Sequence, residues 1–525
     1  MATQHPDAAS KFVPISEEPE EAITVFERPA KGIGCDEYLI DFMGKLTPYH
    51  QIGSVIKKLK EQTDLVPGED VFITPRMVSD FYDEPFRQLI TLLAVMEGIY
   101  YSSSFYKRQG VIEIVQAATE DVNELVKCYH RSNSYFPILE KELNLKTSEN
   151  ELRLIPLFEG IISLEGIQKV LSEYIPQVGI KDYLRVFIGK SETAISAGHV
   201  SSVLACKLAI SDCIETQDKL GIEVFPILGG GALPFRGFIT PENVDNFTQE
   251  YRGVKTYTIQ SALRYDRDKS ETMKMVSTLR EKTRLKPLKF TKQEKKKIQE
   301  MMEIFSKNYL KELYEIIDFI LEITPYVPDQ RERIREYGDV TYYRSIRRIE
   351  KMLKAFKNKK IISDISQLQL EKFGTLPRAI KLSAALYSLG LPPEFLGTGN
   401  SLEEIRKELG EEYLNLLLDR IYPSLGNDIT FSSKFYAPSR LVTPKIQKGI
   451  KILDATFPFD APEENHQILT KIAFEIISKS KSPNGPRIMV IDVKDRAIAE
   501  YLSDSAKVNL SKIILDMGKI RGALG

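Results

Sequence analysis

Short apolar runs recur through the first half of the chain and constrain its fold more than any other feature. Amphipathic stretches such as FRQLITLLAVMEGIYY and LEGIQKVLSEYI separate them, which is typical of repeated strand–helix units in a parallel sheet. The runs start about 30 to 40 residues apart, and we predict a strand at each of seven: residues 38–42, 71–74, 111–115, 152–158, 183–188, 222–228 and 255–260.

The runs are apolar on both sides, as expected for strands covered on both faces. A closed (β/α)₈ barrel of the TIM type fits better than an open doubly wound sheet, because no GxGxxG follows the first run. The sequence does not place the eighth strand clearly, and we expect it beyond Gly374, after an insertion. The predicted fold is therefore an α/β barrel with many additional α-helices, mostly in the carboxyl-terminal half.

The character of the sequence changes near Ser270. The stretch EKKKIQEMMEIFSKNYLKELYEIIDFILEI is periodic and lacks Gly and Pro, which predicts one long helix. We predict two regions: residues 1–270 hold the amino-terminal segment and most of the barrel, and residues 271–525 form a mainly helical region packed on it. The helical region would contribute active-site arginines and oligomer contacts.

The overall charge excludes some classes of partner. The chain has 72 Lys plus Arg against 73 Asp plus Glu, so no global field would draw it to nucleic acid or to an anionic membrane. No apolar run approaches the roughly 18 residues of a spanning helix, and the start lacks a signal-peptide pattern. The four cysteines show no metal-binding spacing, which indicates reduced thiols and a cytoplasmic location.

Charged side chains follow several of the predicted strands. In a barrel of this kind, functional groups gather at the carboxyl ends of the strands. Glu159 and Glu192 could supply two carboxylates to a divalent cation such as Mg²⁺, or each could cap a helix or pair with a neighbouring base. The groups at strand ends are Arg76, Glu159, Glu192, Arg264 and the loop LGGGALPFRG.

That loop has four glycines and one arginine. Backbone N–H groups of Gly230 and Gly231 could approach an oxyanion closely, with Arg236 to neutralise it. The loop could instead be a flexible connection without a ligand. Elsewhere, Arg344 and Arg378 would be ordinary surface residues on physical grounds alone, and His5 would lie in a segment where many chains fray.

Taken together, the motifs resemble a known family. TQHPD at the start, IPLFEG at a strand end, the Gly-rich loop closing with Arg, and LPRAIKLSAALYSLGLPPEFLGTG resemble phosphoenolpyruvate carboxylase of the short, archaeal type. The resemblance implies a biotin-free lyase that joins phosphoenolpyruvate to bicarbonate with Mg²⁺ or Mn²⁺, through carboxyphosphate and an enolate. It also implies a helix-embellished (β/α)₈ barrel and a homotetramer.

The resemblance assigns roles to the acids of the rim. IPLFEG implies that Glu159 is a metal ligand, and GKSETAISAG implies the same for Glu192. The lysine that the family's long form carries in this motif falls on Ile195. Lys190 is the candidate to replace its charge.

The resemblance also assigns the basic groups. Arg236, Arg378 and His5 would be catalytic, with His5 holding or moving a proton beside the nascent CO₂ and enolate. The groups assigned to substrate binding are Arg76, Arg264, Arg344, Gly230 and Gly231.

Two rival functions stay open: another Mg²⁺-dependent barrel lyase or aldolase acting on a pyruvate or phosphoenolpyruvate enolate, and a non-catalytic helical scaffold. His50 and His199 favour structural, hydrogen-bonded roles over catalytic ones. We further expect that deleting residues 1–10 damages activity far more than folding.

Overall fold

Eight parallel strands close into one barrel in the order of the chain. The computed structural model of the protein describes residues 1–4, 8–26, 32–81, 84–145, 151–332, 348–438, 441–480 and 510–525. The strands are β1 (Ala2–Gln4), β2 (Glu37–Asp41), β3 (Phe72–Met77), β4 (Glu113–Gln116), β5 (Arg153–Phe158), β6 (Tyr183–Gly189), β7 (Glu223–Gly229) and β8 (Thr256–Ile259). The predicted barrel is confirmed, and each of the seven predicted runs overlaps one strand.

The eighth strand is at the opposite end of the chain from the one we expected. The expectation of a strand beyond Gly374 was wrong: β1 pairs with both β2 and β8 and closes the barrel. It has three residues with the sequence ATQ, so it offers no apolar run that a pattern search can find. Contacts rather than composition stabilise it, since Thr3 Oγ1 donates to the Ile259 carbonyl at 2.5 Å and the Met1 amino group pairs with Asp36 at 2.5 Å.

The inside of the barrel is layered. Alternate residues of a strand share a face, and one such set packs together at mid-height: Ala2, Leu39, Val115, Ala117, Ile155, Leu157, Phe187 and Ile227. Two residues before Phe187 on β6, Arg185 pairs with Glu37 at 2.6 Å and with Glu113 at 2.7 Å. Two residues after Leu157, the same alternation reaches Glu159 at the carboxyl end. The interior of the barrel is therefore filled by an apolar layer, with polar side chains at its amino-terminal and carboxyl-terminal ends.

Helices alternate with the strands and then dominate the rest of the chain. Those of the barrel region are α1 (Glu18–Phe26), α2 (Gln51–Gln62), α3 (Pro85–Tyr106), α4 (Val122–Asn133), α5 (Phe136–Leu143), α6 (Ile161–Glu165), α7 (Ile167–Val178), α8 (Lys190–Ala197), α9 (His199–Leu220), α10 (Val244–Glu250), α11 (Ser261–Tyr265) and α12 (Lys269–Lys282). Short 3₁₀ turns lie at Ile15–Glu17, Pro234–Arg236 and Thr324–Tyr326.

The later helices follow the predicted long one. They are α13 (Lys292–Ile323), α14 (Lys359–Ser366), α15 (Glu371–Gly374), α16 (Ala379–Ser388), α17 (Thr398–Glu408), α18 (Glu411–Asn415), α19 (Leu425–Ser433), α20 (Pro444–Thr456), α21 (Glu464–Ser480) and α22 (Leu510–Arg521), with a π-helical turn at Leu416–Ile421.

The long helix α13 joins the two parts of the molecule. A capping box starts it, because Thr291 and Glu294 each accept from the other's backbone N–H. Its buried face packs on α8 and α9 of the barrel, so helices of the second half cover the barrel as expected. The division into two regions at residue 270 stays a prediction.

Two sequence-level expectations can be compared with the described residues. Among these residues, none of the helices combines the length and apolar character that crossing a bilayer requires. All four cysteines are buried with free thiols.

The position of β1 changes the expected effect of an amino-terminal deletion. Removing residues 1–4 takes a strand from between β2 and β8 and exposes two sheet edges. We expect the denaturant midpoint to fall clearly, because each unpaired buried backbone group costs about 1–3 kcal/mol. Leu46→Ala, at a side chain that is 52% exposed, is the control and should stay within about 0.5 kcal/mol of the parent. A truncated chain that unfolds like the parent and loses activity alone would restore the earlier expectation.

Candidate active site

The carboxyl ends of the strands bring polar groups from several elements to one mouth. Asp41 ends β2, and Arg76 on β3 is in register with it. Glu159 directly follows β5, and α8 begins directly after β6 with Glu192 in its first turn. Because parallel strands share one polarity, these side chains lie at the same end of the barrel.

Glu159 and Glu192 converge on one guanidinium group. Arg348 Nη1 donates to Glu192 Oε2 at 2.6 Å, and Arg348 Nη2 lies 3.8 Å from Glu159 Oε2. The side chains of Glu159 and Glu192 are 11% and 27% exposed, so both carboxylates are partly shielded from water. The structure thus brings the two predicted metal ligands together at a point that attracts a cation.

The donor set fits a Mg²⁺ ion better than a metal with an all-protein cage. Within the described ranges, no group of three or more His, Cys, Asp or Glu side chains could hold a metal ion. Mg²⁺ is commonly bound through one or two carboxylates, with water and substrate oxygens completing its shell. Glu159 and Glu192 provide two such carboxylates, and metal binding by them stays a prediction.

Arg76 lies at the mouth but already has an acidic partner. Its Nε and Nη2 donate to the two oxygens of Asp41 at 3.0 and 2.6 Å, and Arg331 Nη1 reaches Asp41 at 3.2 Å. Burial alone would raise the pKa of Asp41, but Arg76 and Arg331 hold it well below its usual range. Two guanidinium groups therefore share one buried carboxylate at the rim.

The Gly-rich loop after β7 is buried and internally bonded. The Gly230 N–H donates to Thr258 Oγ1 at 2.9 Å, and the Gly231 N–H donates to the Arg236 carbonyl at 2.7 Å. A Cβ on Gly231 would lie 2.7 Å from Gln260 Oε1, and Gly237 has a φ of +136°. In this structure the two amides donate to the protein itself, and close packing explains the glycines. Substrate binding by Gly230 and Gly231 stays a prediction.

Arg236 ends the 3₁₀ turn of that loop and is only 4% exposed. Its Nε donates to Ser191 Oγ at 3.2 Å, and its Nη1 donates to the Gly525 carbonyl oxygen at 2.6 Å. Ser191 precedes Glu192 in α8, so Arg236 contacts the turn that carries the second carboxylate. The predicted proximity of arginine and acid at the rim is present.

Lys190 does not project from the rim. Its Nζ is fully buried and donates to the carbonyl oxygens of Pro234 and Phe235 at 3.1 and 2.8 Å. Burial lowers the pKa of Lys190 to about 8. The long form's lysine corresponds to Ile195, which is buried here. Lys190, the proposed substitute, binds backbone oxygens of the Gly-rich loop.

Arg264 holds the end of β1. Its Nη2 donates to the Gln4 carbonyl at 2.5 Å and its Nη1 pairs with Glu21 at 2.8 Å, with both side chains buried. These contacts fix the last residue of β1, the residue before His5 in the chain. These bonds join Arg264 to the protein itself. Substrate binding by Arg264 stays a prediction.

Arg378 directly precedes α16, and the first turn of this helix lies near the residues that Arg236 contacts. It is the N-cap of α16 and is half-buried. A Cβ on Gly525 would lie 2.0 Å from the Ile380 carbonyl oxygen in the first turn of α16. Gly525 therefore packs between that turn and Arg236.

Two predicted residues cannot be compared with the structure. His5 and Arg344 lie outside the described residues. Their assigned roles stay predictions.

The two histidines that were left open differ in environment. His199 is buried, its Nε2 lies 2.8 Å from the Tyr422 hydroxyl, and burial lowers its pKa to about 3, so it is a neutral structural residue. His50 is exposed, serves as the N-cap of α2 and contacts the Tyr49 ring edge-on.

Four residues of the mouth were not identified from the sequence, and one of them is Arg331, which contacts Asp41. Asp41 is the fourth residue of the run YLIDF and could have been interpreted as a strand-end acid. Ser191 lies in the quoted GKSETAISAG motif. Arg348 lies in a helical stretch, 348–355, four residues after Arg344, but no pattern separates it from the neighbouring arginines.

A filled parallel barrel with carboxylates and buried arginines at the carboxyl ends of its strands defines a class: barrel enzymes that act on anionic substrates. Comparison with known proteins narrows that class. A family model described as phosphoenolpyruvate carboxylase matches residues 1–525.

Similar curated proteins carry the same name. Phosphoenolpyruvate carboxylase of Methanosarcina mazei is 36% identical, with 100% of this chain and 98% of that protein covered. The protein of that name from Methanopyrus kandleri is 33% identical with the same coverage. A solved structure, the magnesium and glyoxylate complex of Haloferax volcanii malate synthase, covers 70% of this chain and 97% of its own at 11% identity and a TM-score of 0.37, which is too low to support an argument.

The chain belongs to the phosphoenolpyruvate carboxylase family, and it resembles the archaeal members in length and along its whole sequence. It is therefore an enzyme of the lyase class. The resemblance that the sequence motifs indicated is confirmed.

Proposed function

We propose that the protein carboxylates phosphoenolpyruvate with bicarbonate and releases oxaloacetate and phosphate. One observation carries the proposal beyond family membership: two strand-end carboxylates converge on one cationic group, next to the turn that Arg236 contacts. That arrangement suits substrates whose negative charge sits on phosphate and carboxylate oxygens.

The reaction divides into two steps. A bicarbonate oxygen attacks the phosphorus, the bond from phosphorus to the enol oxygen breaks, and carboxyphosphate and the enolate form. The enolate carbon then bonds to the carbon of CO₂ released from carboxyphosphate, and the electron pair of the broken carbon–oxygen bond leaves with phosphate. Bicarbonate is activated by phosphoryl transfer, so the proposed reaction uses no biotin.

Glu159 and Glu192 are the proposed ligands of Mg²⁺ or Mn²⁺. Bound there, the ion would neutralise charge that develops on the enolate and phosphoryl oxygens. Arg236 and Arg378 are proposed to bind anionic oxygens from the side of the Gly-rich loop and α16. The buried position of Arg236 strengthens such contacts, because charges interact more strongly where water is excluded.

The remaining basic groups have proposed roles at the edge of the site. Arg76 and Arg344, with Gly230 and Gly231 of the loop, are proposed to bind substrate. Arg264 is also proposed to bind substrate, and its bonds to Gln4 and Glu21 support a second role in fixing the end of β1. The next residue, His5, would then be placed to hold or move a proton beside the enolate.

The experiment that tests the function measures product directly. The protein is incubated with phosphoenolpyruvate, bicarbonate and Mg²⁺, and oxaloacetate is followed through coupled malate dehydrogenase. Oxaloacetate that depends on both substrates supports the proposal. Its absence under metal-replete conditions refutes it and leaves the other barrel lyases or a non-catalytic scaffold.

Replacing either carboxylate should weaken activation by metal. In Glu159→Gln and Glu192→Gln an amide oxygen replaces a charged one, and hard cations favour the charged ligand. We expect the Mg²⁺ concentration for half-maximal activity to rise about tenfold or more, in line with losing about 1.4 kcal/mol of binding. Glu242→Gln, at a side chain that is 58% exposed, is the matched control. An unchanged Mg²⁺ requirement in both variants would remove Glu159 and Glu192 as ligands.

We also propose that the protein is a homotetramer working in the cytoplasm. The free, buried thiols support a reducing compartment. The outer face of α3 supports an oligomer, because its exposed side chains Phe86, Ile90, Leu93 and Tyr100 form an apolar stripe over four turns. Helices that are apolar all round are usually covered.

A charge placed in that stripe should disturb assembly. Leu93 is 56% exposed, so Leu93→Glu leaves the core of the subunit intact and makes an apolar contact between subunits unfavourable. Sedimentation velocity should show a smaller species than the parent. Leu143→Glu, at the exposed end of α5, is a control of the same chemistry away from the stripe. An unchanged sedimentation coefficient for Leu93→Glu would exclude α3 from the interface.

A further inference from the structure

Two buried charged side chains hold the turn that ends in Arg236. Lys190 Nζ donates to the carbonyl oxygens of Pro234 and Phe235 at 3.1 and 2.8 Å. Glu394 Oε1 accepts from the Phe235 N–H at 2.6 Å. Both polar groups of the Phe235 peptide unit are thus bound by side chains from outside the loop, one residue before Arg236.

Packing alone does not explain why a lysine and a glutamate occupy these two positions. Both side chains are fully buried, and moving an ammonium or carboxylate group out of water costs several kcal/mol. Lys190 is also the first residue of α8, where the helix dipole disfavours a positive charge. Apolar side chains of similar size would fill the space at a lower cost in free energy. What Lys190 and Glu394 add is directed hydrogen bonds to the loop backbone.

Further groups lie behind the pair and keep it in place. The Tyr387 hydroxyl donates to the second oxygen of Glu394 at 2.9 Å. The same hydroxyl lies 3.3 Å from Ser432 Oγ. The pair therefore belongs to a buried polar network that joins α8, α16 and the Gly-rich loop.

The loop's own backbone bonds connect its residues to each other, as in Arg236 N–H to the Leu233 carbonyl at 2.9 Å, whereas Lys190 and Glu394 hold it from outside. Glycine has wide backbone freedom, and the loop contains Gly229, Gly230, Gly231 and Gly237 in nine residues. The same helical turn that supplies Lys190 supplies Ser191, whose Oγ accepts from Arg236 Nε at 3.2 Å. One turn of α8 thus binds the backbone before Arg236 and the guanidinium of Arg236.

We propose that Lys190 and Glu394 are positioning residues that hold the turn Pro234–Arg236 from beneath and so fix the Arg236 guanidinium beside the first turn of α8. The effect on reaction rate rests on the proposed function. The effect on the loop does not, and it can be measured without substrate.

The first test removes the ammonium group of Lys190 and keeps an unbranched side chain of similar length. In Lys190→Met, we expect amide hydrogen exchange in a peptide covering residues 233–238 to become about tenfold faster or more, as for a loop that has lost hydrogen bonds. Lys207→Met is the matched control. Lys207 is also fully buried, but it donates to Glu250 and Ile421, so exchange in the loop should match the parent.

The second test separates the hydrogen bond from the charge. Glu394→Gln keeps an oxygen that accepts from the Phe235 N–H, whereas Glu394→Met removes it. We expect slow loop exchange in the glutamine variant and fast exchange in the methionine variant. If Lys190→Met does not fold, the comparison of the two Glu394 variants still tests the inference.

Kinetics give a third measurement. Folded Lys190→Met should form oxaloacetate with a kcat at least about tenfold lower while the Mg²⁺ requirement stays that of the parent, because Glu159 and Glu192 are untouched. A general loss of structure would disturb both.

The outcomes are distinguishable. Loop exchange equal to the parent in folded Lys190→Met, or in both Glu394 variants, would overturn the inference even if the parent makes oxaloacetate. Faster loop exchange in a protein that makes no oxaloacetate would support the inference and refute the proposed function.

Discussion

Closure of the barrel by three residues is the constraint on which the rest of the structure depends. An eight-stranded barrel with one strand missing has two open edges, and β1 removes both by pairing with β2 and β8. Two side chains reinforce the short strand: Thr3 donates to the Ile259 carbonyl of β8, and Arg264 of α11 donates to the Gln4 carbonyl at the end of β1. Once the ring is closed, the strand ends lie around one mouth, and that places the acids and arginines within reach of each other.

The first turn of α8 is the second point at which many contacts meet. Its three consecutive residues bind different parts of the mouth: Lys190 the Gly-rich loop, Ser191 the Arg236 side chain, and Glu192 the Arg348 guanidinium. A helix turn fixes the relative directions of such neighbours better than a loop could. One helix turn therefore supports the loop, the Arg236 side chain and the carboxylate pair through three separate side chains.

Much of this could be predicted from the sequence, and the reasons for success and failure are physical. Strands buried on both faces leave recognisable apolar runs, so seven of eight were predicted, and the common direction of the strands placed Glu159 and Glu192 at one end. β1 was missed because ATQ is short and its stability comes from pairing with residues far away in the chain. Arg348 was missed for a similar reason, since only tertiary contact distinguishes it from other helical arginines.

Burial shows why the position of a basic group after a strand does not by itself define its contacts. From sequence, an arginine or lysine after a strand looks available for a ligand, yet Arg264 and Lys190 bind backbone carbonyls inside the protein. A buried cation is tolerated where it satisfies backbone oxygens that would otherwise lack a donor. The mouth thus contains positive charges that bind backbone oxygens, as Arg264 and Lys190 do, and positive charges that pair with carboxylates, as Arg76 and Arg348 do. Sequence alone does not separate them, because both kinds occupy the same strand ends.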